Sequence, residues 1–173
     1  SGALCVLWFF IAKKDNLVVK RVAQPRVYQM YFNLNKMQDK AVREAIMYGV
    51  NKKDIGEKLM KGYVSAAYSA FPDDSAYGAK NLKPRMFDAA KAKQILADAG
   101  YKDTNGDGIV EKDGKPLTVQ FSVYKRAAIA PIATEMQAQL KQIGIDVQIK
   151  NFEKATFFAP GDFDIGLYYV VTM

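Results

Sequence analysis

The feature that most constrains the fold is a strand, helix, strand order between Leu117 and Phe152. LTVQFSV alternates apolar and polar residues, as strands do, and IDVQIKNF repeats that alternation. Between them, apolar residues recur at helical spacing before Gly144, at Ile129, Ile132, Ala133, Met136, Leu140 and Ile143. Because such a unit places two parallel strands side by side with the helix on one face, the sequence predicts an α/β fold.

The flanking segments extend this pattern into a larger sheet. Tyr28, Met30 and Phe32 alternate with other residues and predict a strand, and FDIGLYYVV is a further apolar strand candidate. Three helices are predicted between the first strand and the βαβ unit, with N-caps at Asp39, Asn51 and Asp88. We therefore expect a mixed, mostly parallel sheet flanked by helices.

Composition excludes several classes of function. The 173 residues fit one domain, and the net charge of +7 is scattered without a dense basic run, so no nucleic-acid partner is expected. The chain has no histidine, which removes the usual catalytic triads and zinc ligand sets. An enzyme is consequently the least favoured interpretation.

The N-terminal run SGALCVLWFFIA is apolar but too short to cross a bilayer, for which about twenty residues are needed. It also lacks the basic start and cleavage site of an intact signal peptide. We divide the chain into an apolar segment of uncertain role at 1–16 and a single α/β lobe at 17–173. A buried helix or strand and the remnant of a longer segment remain alternatives for the run, and its exposure would favour dimerisation.

The loop DTNGDGIVEKDG resembles a calcium loop in part. Asp103, Asn105, Asp107 and Gly108 have the spacing of the twelve-residue EF-hand loop, but its twelfth position, which needs a bidentate Glu, is Gly114. A strand follows in place of the second helix. The sequence therefore favours a polar turn over a calcium site, and no cofactor is predicted.

Three segments together resemble a known family: AVREAIMYGVNKKDIGEKLMKG, NLKPRMFDAAKAKQILADAGYKDTNGDGIVEKDGKPLTVQFSV and IATEMQAQLKQIGIDVQI. They are similar to the second lobe of the family 5 solute-binding proteins of peptide and nickel ABC importers, from about Val27 to Tyr169. The resemblance implies one lobe of a two-lobed, periplasmic-binding-protein-like (type II) fold. Within the family the Asn/Asp/Gly-rich loop is ordinary structure.

The resemblance also implies a function. Such proteins are not enzymes: two lobes close around a ligand and deliver it to an ABC importer permease, in the periplasm or at the extracytoplasmic cell surface. Membrane association would come only through the transporter or a lost anchor. The expected ligand is a nickel chelate, with a dipeptide or oligopeptide as the alternative. An autonomous protein- or membrane-interaction module is the alternative of another class.

Ligands of open α/β sheets bind outside the carboxyl ends of the strands. Three segments end or follow strands there: YKR, FEKATFF and YYVV. The resemblance adds an aromatic wall and arginines around a chelate; Phe158 is similar in position to a tyrosine of that wall, and Tyr168 or Tyr169 to a histidine of some members. Phe152, Phe157 and Phe158 fit a core role at least as well, and Arg126 equally fits a solvated position at a helix start. The candidate ligand-binding residues are Tyr124, Arg126, Phe157, Phe158, Tyr168 and Tyr169.

Overall fold

The computed structural model describes residues 26–62, 66–67, 85–124, 129–153 and 161–171, without the side chains of residues 26 and 169–171. The strands are β1 (Arg26–Phe32), β2 (Glu111–Lys112), β3 (Lys115–Pro116), β4 (Thr118–Tyr124), β5 (Asp146–Phe152) and β6 (Ile165–Val171). The helices are α1 (Lys40–Gly49), the short α2 (Lys52–Asp54), which continues as a π-helical turn (Ile55–Leu59), α3 (Ala89–Asp98) and α4 (Ile129–Gln142).

The predicted helix starts are confirmed by their caps. Asp39 accepts a hydrogen bond from the Ala41 amide at 2.9 Å, and Asn51 accepts one from the Asp54 amide at 3.1 Å. Asp88 accepts one from the Lys91 amide at 2.8 Å. Each side chain satisfies a backbone N–H that the first helical turn leaves without a partner.

The main sheet has the strand order β1-β6-β4-β5. β4 pairs in parallel with both β5 and β6, whereas β1 pairs antiparallel with β6. The predicted βαβ unit is confirmed, since α4 connects the adjacent parallel strands β4 and β5. The predicted mixed, mostly parallel α/β sheet is likewise confirmed.

One face of the sheet forms the core. In the register, Phe121 lies beside both Ile165 and Ile149, and Val123 lies beside Leu167. Phe121 and Ile165 are fully buried. The helices complete this core through their apolar faces, which include Ile46, Leu96, Ile132, Ala133 and Leu140.

Asp164 joins three strands at the edge where β6 begins. Its side chain accepts a hydrogen bond from the Gln120 amide at 2.7 Å, and its own amide donates to the Gln120 carbonyl at 3.2 Å. Its carbonyl accepts from the Asn33 amide at 2.9 Å. These bonds tie the start of β6 to β4 and to the end of β1. They thereby align β6 with β4, whose carboxyl ends lie together at the opposite edge of the sheet.

None of the helices in the described ranges is long and apolar enough to cross a membrane. Residues 1–16, including the apolar N-terminal run, lie outside those ranges. The division of the chain at residue 17 and the dimer suggested for the run therefore stay predictions.

Candidate ligand-binding edge

Two of the predicted site residues meet at the carboxyl edge of the sheet. Val123 lies beside Leu167 in the parallel register, so the next positions, Tyr124 and Tyr168, project on the same face. Their ring centroids are 6.2 Å apart with the planes tilted by 53°. This separation and tilt lie within the range that aromatic pairs prefer.

Strand β1 brings two further polar side chains to this face. Gln29 lies opposite Tyr168, and Tyr31 lies opposite Gly166, because β1 runs antiparallel to β6. The Tyr31 hydroxyl donates a hydrogen bond to Gln29 Oε1 at 2.7 Å. Burial, followed by the interaction with Tyr168, raises the pKa of Tyr31, so its hydroxyl stays a neutral donor.

Gln29, Tyr31, Tyr124 and Tyr168 thus form a group across three strands, which we call the tyrosine patch. All four side chains are half-buried. Next to it, Ser122 is fully buried and lies beside Gly166, a residue without a side chain. Phe152, at the end of β5, lies beside Tyr124 and extends the aromatic surface.

The tyrosine patch suits binding more than catalysis. Phenol rings offer flat apolar surface together with hydroxyl groups that donate or accept hydrogen bonds. A planar or ring-containing ligand can stack on such a surface while the hydroxyls contact its polar atoms. Because the chain contains no histidine, it cannot hold a metal through imidazole.

The side chains of the other predicted site residues lie outside the described part of the structure. Arg126, Phe157 and Phe158 lie outside the described residues, and only the backbone of Tyr169 is described, in β6. Their role as ligand-binding residues stays a prediction. Gln29 and Tyr31 were not identified from the sequence, although the alternation in VYQMYF already places them on one face.

A small cavity of about 150 Å³ lies at the opposite edge, between β4 and the start of α1. Its wall includes Asp39 and Tyr101, whose hydroxyl donates to Asp39 Oδ2 at 3.0 Å. Lys112 lies 3.6 Å from the same oxygen. Since these contacts brace the capped start of α1, we assign this edge a structural role.

Comparison with known proteins decides the family. The sequence model described as "Bacterial extracellular solute-binding proteins, family 5 Middle" matches residues 7–172. The chain belongs to family 5 of the bacterial extracellular solute-binding proteins. The resemblance predicted from the sequence is therefore confirmed, and so is the extracytoplasmic localisation that goes with this family.

The family 5 chain is similar to proteins with two kinds of ligand in their names. It is 36% identical over 120 residues to the nickel-binding periplasmic protein of Escherichia coli, covering 69% of this chain and 23% of that protein. It is 35% identical over 146 residues to the oligopeptide-binding protein AppA of Bacillus subtilis, covering 82% and 27%. Both names describe binding, which agrees with the interpretation that the chain is not an enzyme.

A solved structure has the same fold as this family 5 chain. NikZ from Campylobacter jejuni, in complex with Ni(L-His), superposes with a TM-score of 0.81 at 27% identity, over 95% of this chain and 34% of that one. The chain therefore spans about a quarter to a third of the length of these relatives. The predicted lobe of a periplasmic-binding-protein-like fold is confirmed at the level of the fold.

Proposed function

We propose that this family 5 chain is part of the substrate-capture component of an ABC importer and that it binds nickel as a small chelate. The observation that carries the proposal is the tyrosine patch, placed at the carboxyl edge where ligands of open α/β sheets bind. The relatives named for nickel support this choice of ligand.

The chemistry of the patch favours a chelate over a bare ion. Ni²⁺ prefers nitrogen donors such as imidazole, and tyrosine hydroxyls are poor ligands for it when protonated. A nickel ion already wrapped by a small organic ligand presents ring surfaces and carboxylate oxygens instead. Tyr124 and Tyr168 can stack on such rings, while Gln29, whose side-chain amide nitrogen is a donor, lies on the same face to hydrogen-bond the carboxylates.

The proposed transport role follows from lobe closure. A binding protein of this kind exists in an open and a closed form. A ligand that binds the closed form more tightly shifts the equilibrium towards it, by an amount set by the difference in affinity between the two forms. The permease of the importer is the proposed partner, since it would receive the ligand from the closed form. The described lobe supplies one wall of the cleft, so we expect the chain alone to bind weakly.

Oligopeptide binding is the second candidate. Its support is the similarity to AppA, which covers more of this chain than the match to the E. coli nickel-binding protein does. Peptide side chains with rings could use the same tyrosine patch, and peptide carbonyls and amides could use its hydroxyls.

Amide NMR spectra of the isotope-labelled chain test both candidates, because they detect millimolar affinities. Bis-histidine nickel, prepared with excess histidine, is paramagnetic and should broaden the amide signals of Tyr124, Gly166 and Tyr168 first. The matching zinc complex is diamagnetic and serves as the control. Shifts at these residues with a mixed tripeptide pool and none with the chelates would move the function to peptide uptake.

Two variants sharpen the result. Tyr168→Ala should abolish the selective broadening, whereas Tyr48→Ala, on α1 beside Lys91, should leave it intact. Broadening spread evenly over the surface, or unchanged in Tyr168→Ala, would contradict the proposed site.

A further inference from the structure

The loop between α3 and β2 contains a cluster of three acidic residues. Carboxylate oxygens of Asp103, Asp107 and Glu111 all lie within 4.8 Å of one another. Asp103 and Asp107 are exposed, and Glu111 is buried. In the part of the chain that the structure describes, no lysine or arginine lies within ion-pairing distance of these carboxylates. The cluster therefore concentrates negative charge without an ion pair to any described lysine or arginine.

Glu111 provides a second, independent observation. Its side chain is only 8% exposed. One oxygen, Oε2, accepts hydrogen bonds from the Thr104 amide at 2.7 Å and the Thr104 hydroxyl at 2.8 Å. The other, Oε1, is buried and has no hydrogen-bond donor among the described residues. A buried carboxylate oxygen without a donor is costly, and a bound cation is one of the few groups that would satisfy it.

The loop is already folded around the cluster. Asp103 accepts hydrogen bonds from the amides of Gly106 and Gly108, at 2.7 and 2.9 Å. Asp107 accepts one from the Ile109 amide at 2.8 Å. These bonds hold the two aspartates with their carboxylates near Glu111, so a cation would meet an arrangement that needs little reordering.

We propose that Asp103, Asp107 and Glu111 bind one Ca²⁺ ion. The ligands are all oxygens, which selects a hard cation, and Ca²⁺ tolerates the irregular geometry that a loop offers better than Mg²⁺ does. In the numbering of the twelve-residue loop these residues occupy positions one, five and nine. The EF-hand pattern fails at Gly114, position twelve, and a strand replaces its second helix; Glu111 supplies the buried carboxylate that position twelve lacks.

Calorimetric titration of the EGTA-treated chain with calcium chloride tests the proposal. We expect one Ca²⁺ per chain, with a dissociation constant on the order of 10⁻⁵ to 10⁻³ M, and a higher melting temperature in millimolar calcium. Magnesium chloride should bind at least tenfold more weakly. No heat and no rise in melting temperature with calcium would overturn the proposal, and an equal response to magnesium would overturn the choice of Ca²⁺.

Variants localise the site. Glu111→Gln should weaken calcium binding at least tenfold, and Asp107→Asn should do the same at an exposed position, where the side-chain oxygen can still accept the hydrogen bond from the Ile109 amide. Asp113→Asn is the matched control, because Asp113 is an exposed carboxylate two residues from Glu111 and outside the cluster. Calcium binding that is unchanged in both Glu111→Gln and Asp107→Asn would contradict the assignment.

Discussion

Replacing Gly144 by alanine should destabilise the lobe because two costs coincide at this residue. Gly144 ends α4 with a φ of +91°, a backbone conformation that L residues with a side chain rarely adopt. Its carbonyl accepts a hydrogen bond from the Val110 amide at 2.9 Å. A Cβ atom there would lie 2.7 Å from Val110 Cγ1 and 3.4 Å from the Val110 amide nitrogen. The substitution therefore strains the backbone and also pushes the chain away from Val110.

Gly100 provides a matched comparison for the magnitude. It follows α3 with a φ of +89°, and a Cβ there would meet only Lys112 Cε, at 4.0 Å. Left-handed strain should cost about 1–2 kcal/mol in either variant. The clash with Val110 should cost a further 1–3 kcal/mol or so in Gly144→Ala alone. Effects on the unfolded chain are similar in both variants and cancel in the difference.

The measurement is urea unfolding monitored by circular dichroism. The free energy of unfolding of each variant is calculated with the same m-value, the slope of that free energy against urea concentration. We expect Gly144→Ala to be less stable than Gly100→Ala by about 1–3 kcal/mol. Adding Val110→Ala should recover part of that difference, since it removes the nearest clashing atom. Equal destabilisation of the two glycine variants, or no coupling to Val110→Ala, would refute the steric argument.

Three other substitutions, with one control at Gln142, test the core and its polar contacts. Phe121→Ala, at a fully buried position, should lower the free energy of unfolding by about 3–5 kcal/mol in urea titrations. Gln139→Leu should lower the free energy of unfolding by about 1–3 kcal/mol, because Gln139 Oε1 accepts a hydrogen bond from the Asn51 amide at 2.8 Å. Gln142→Leu, at an exposed position of the same helix, should be nearly neutral. Partial burial opposes the charge on Asp39, but hydrogen bonds from Tyr101 and a backbone amide hold its pKa below the usual range. Stability should therefore be lost as pH falls below the unfolded pKa of about 3.9, and Asp39→Asn should flatten that dependence in melts at several pH values.

The pH dependence has an alkaline counterpart at Tyr101. Burial and the hydrogen bond to Asp39 raise the pKa of Tyr101 to about 12. A raised pKa means that the folded state favours the protonated phenol. The stability that the protonated Tyr101 contributes is therefore fully present below the unfolded pKa of about 10, and it is lost as the pH rises towards the pKa of the folded state. Melts of Tyr101→Phe above pH 10 or so should show a smaller alkaline loss than the parent chain, and an unchanged loss would remove Tyr101 as its source.

The sequence determined the elements and much of their arrangement. Alternation in LTVQFSV and IDVQIKNF, with the amphipathic helix between them, was enough to predict adjacent parallel strands, because a helical crossover between neighbouring strands leaves little other choice. The caps at Asp39, Asn51 and Asp88 are local hydrogen bonds, so their residue types are visible without the fold. The family, too, could be identified from three segments of the chain.

Only the tertiary structure decided which distant residues meet. The insertion of β6 between β1 and β4 brings Gln29 and Tyr31 to Tyr168 and Tyr124, and periodicity along one strand carries no information about its neighbour. Glu111 likewise is visible in the sequence only as position nine of the loop, and nothing in the sequence shows that it is buried beside the two aspartates. Its burial, the unsatisfied Oε1 and its closeness to Asp103 and Asp107 arise because α3, the loop and β2 pack together. The burial of side chains and the pairing of strands depend on contacts between segments that are remote in the sequence, whereas helix caps and the alternation of apolar and polar residues depend on near neighbours. The sequence alone therefore determined the caps and the alternation, and the tertiary structure decided the burial and the pairing.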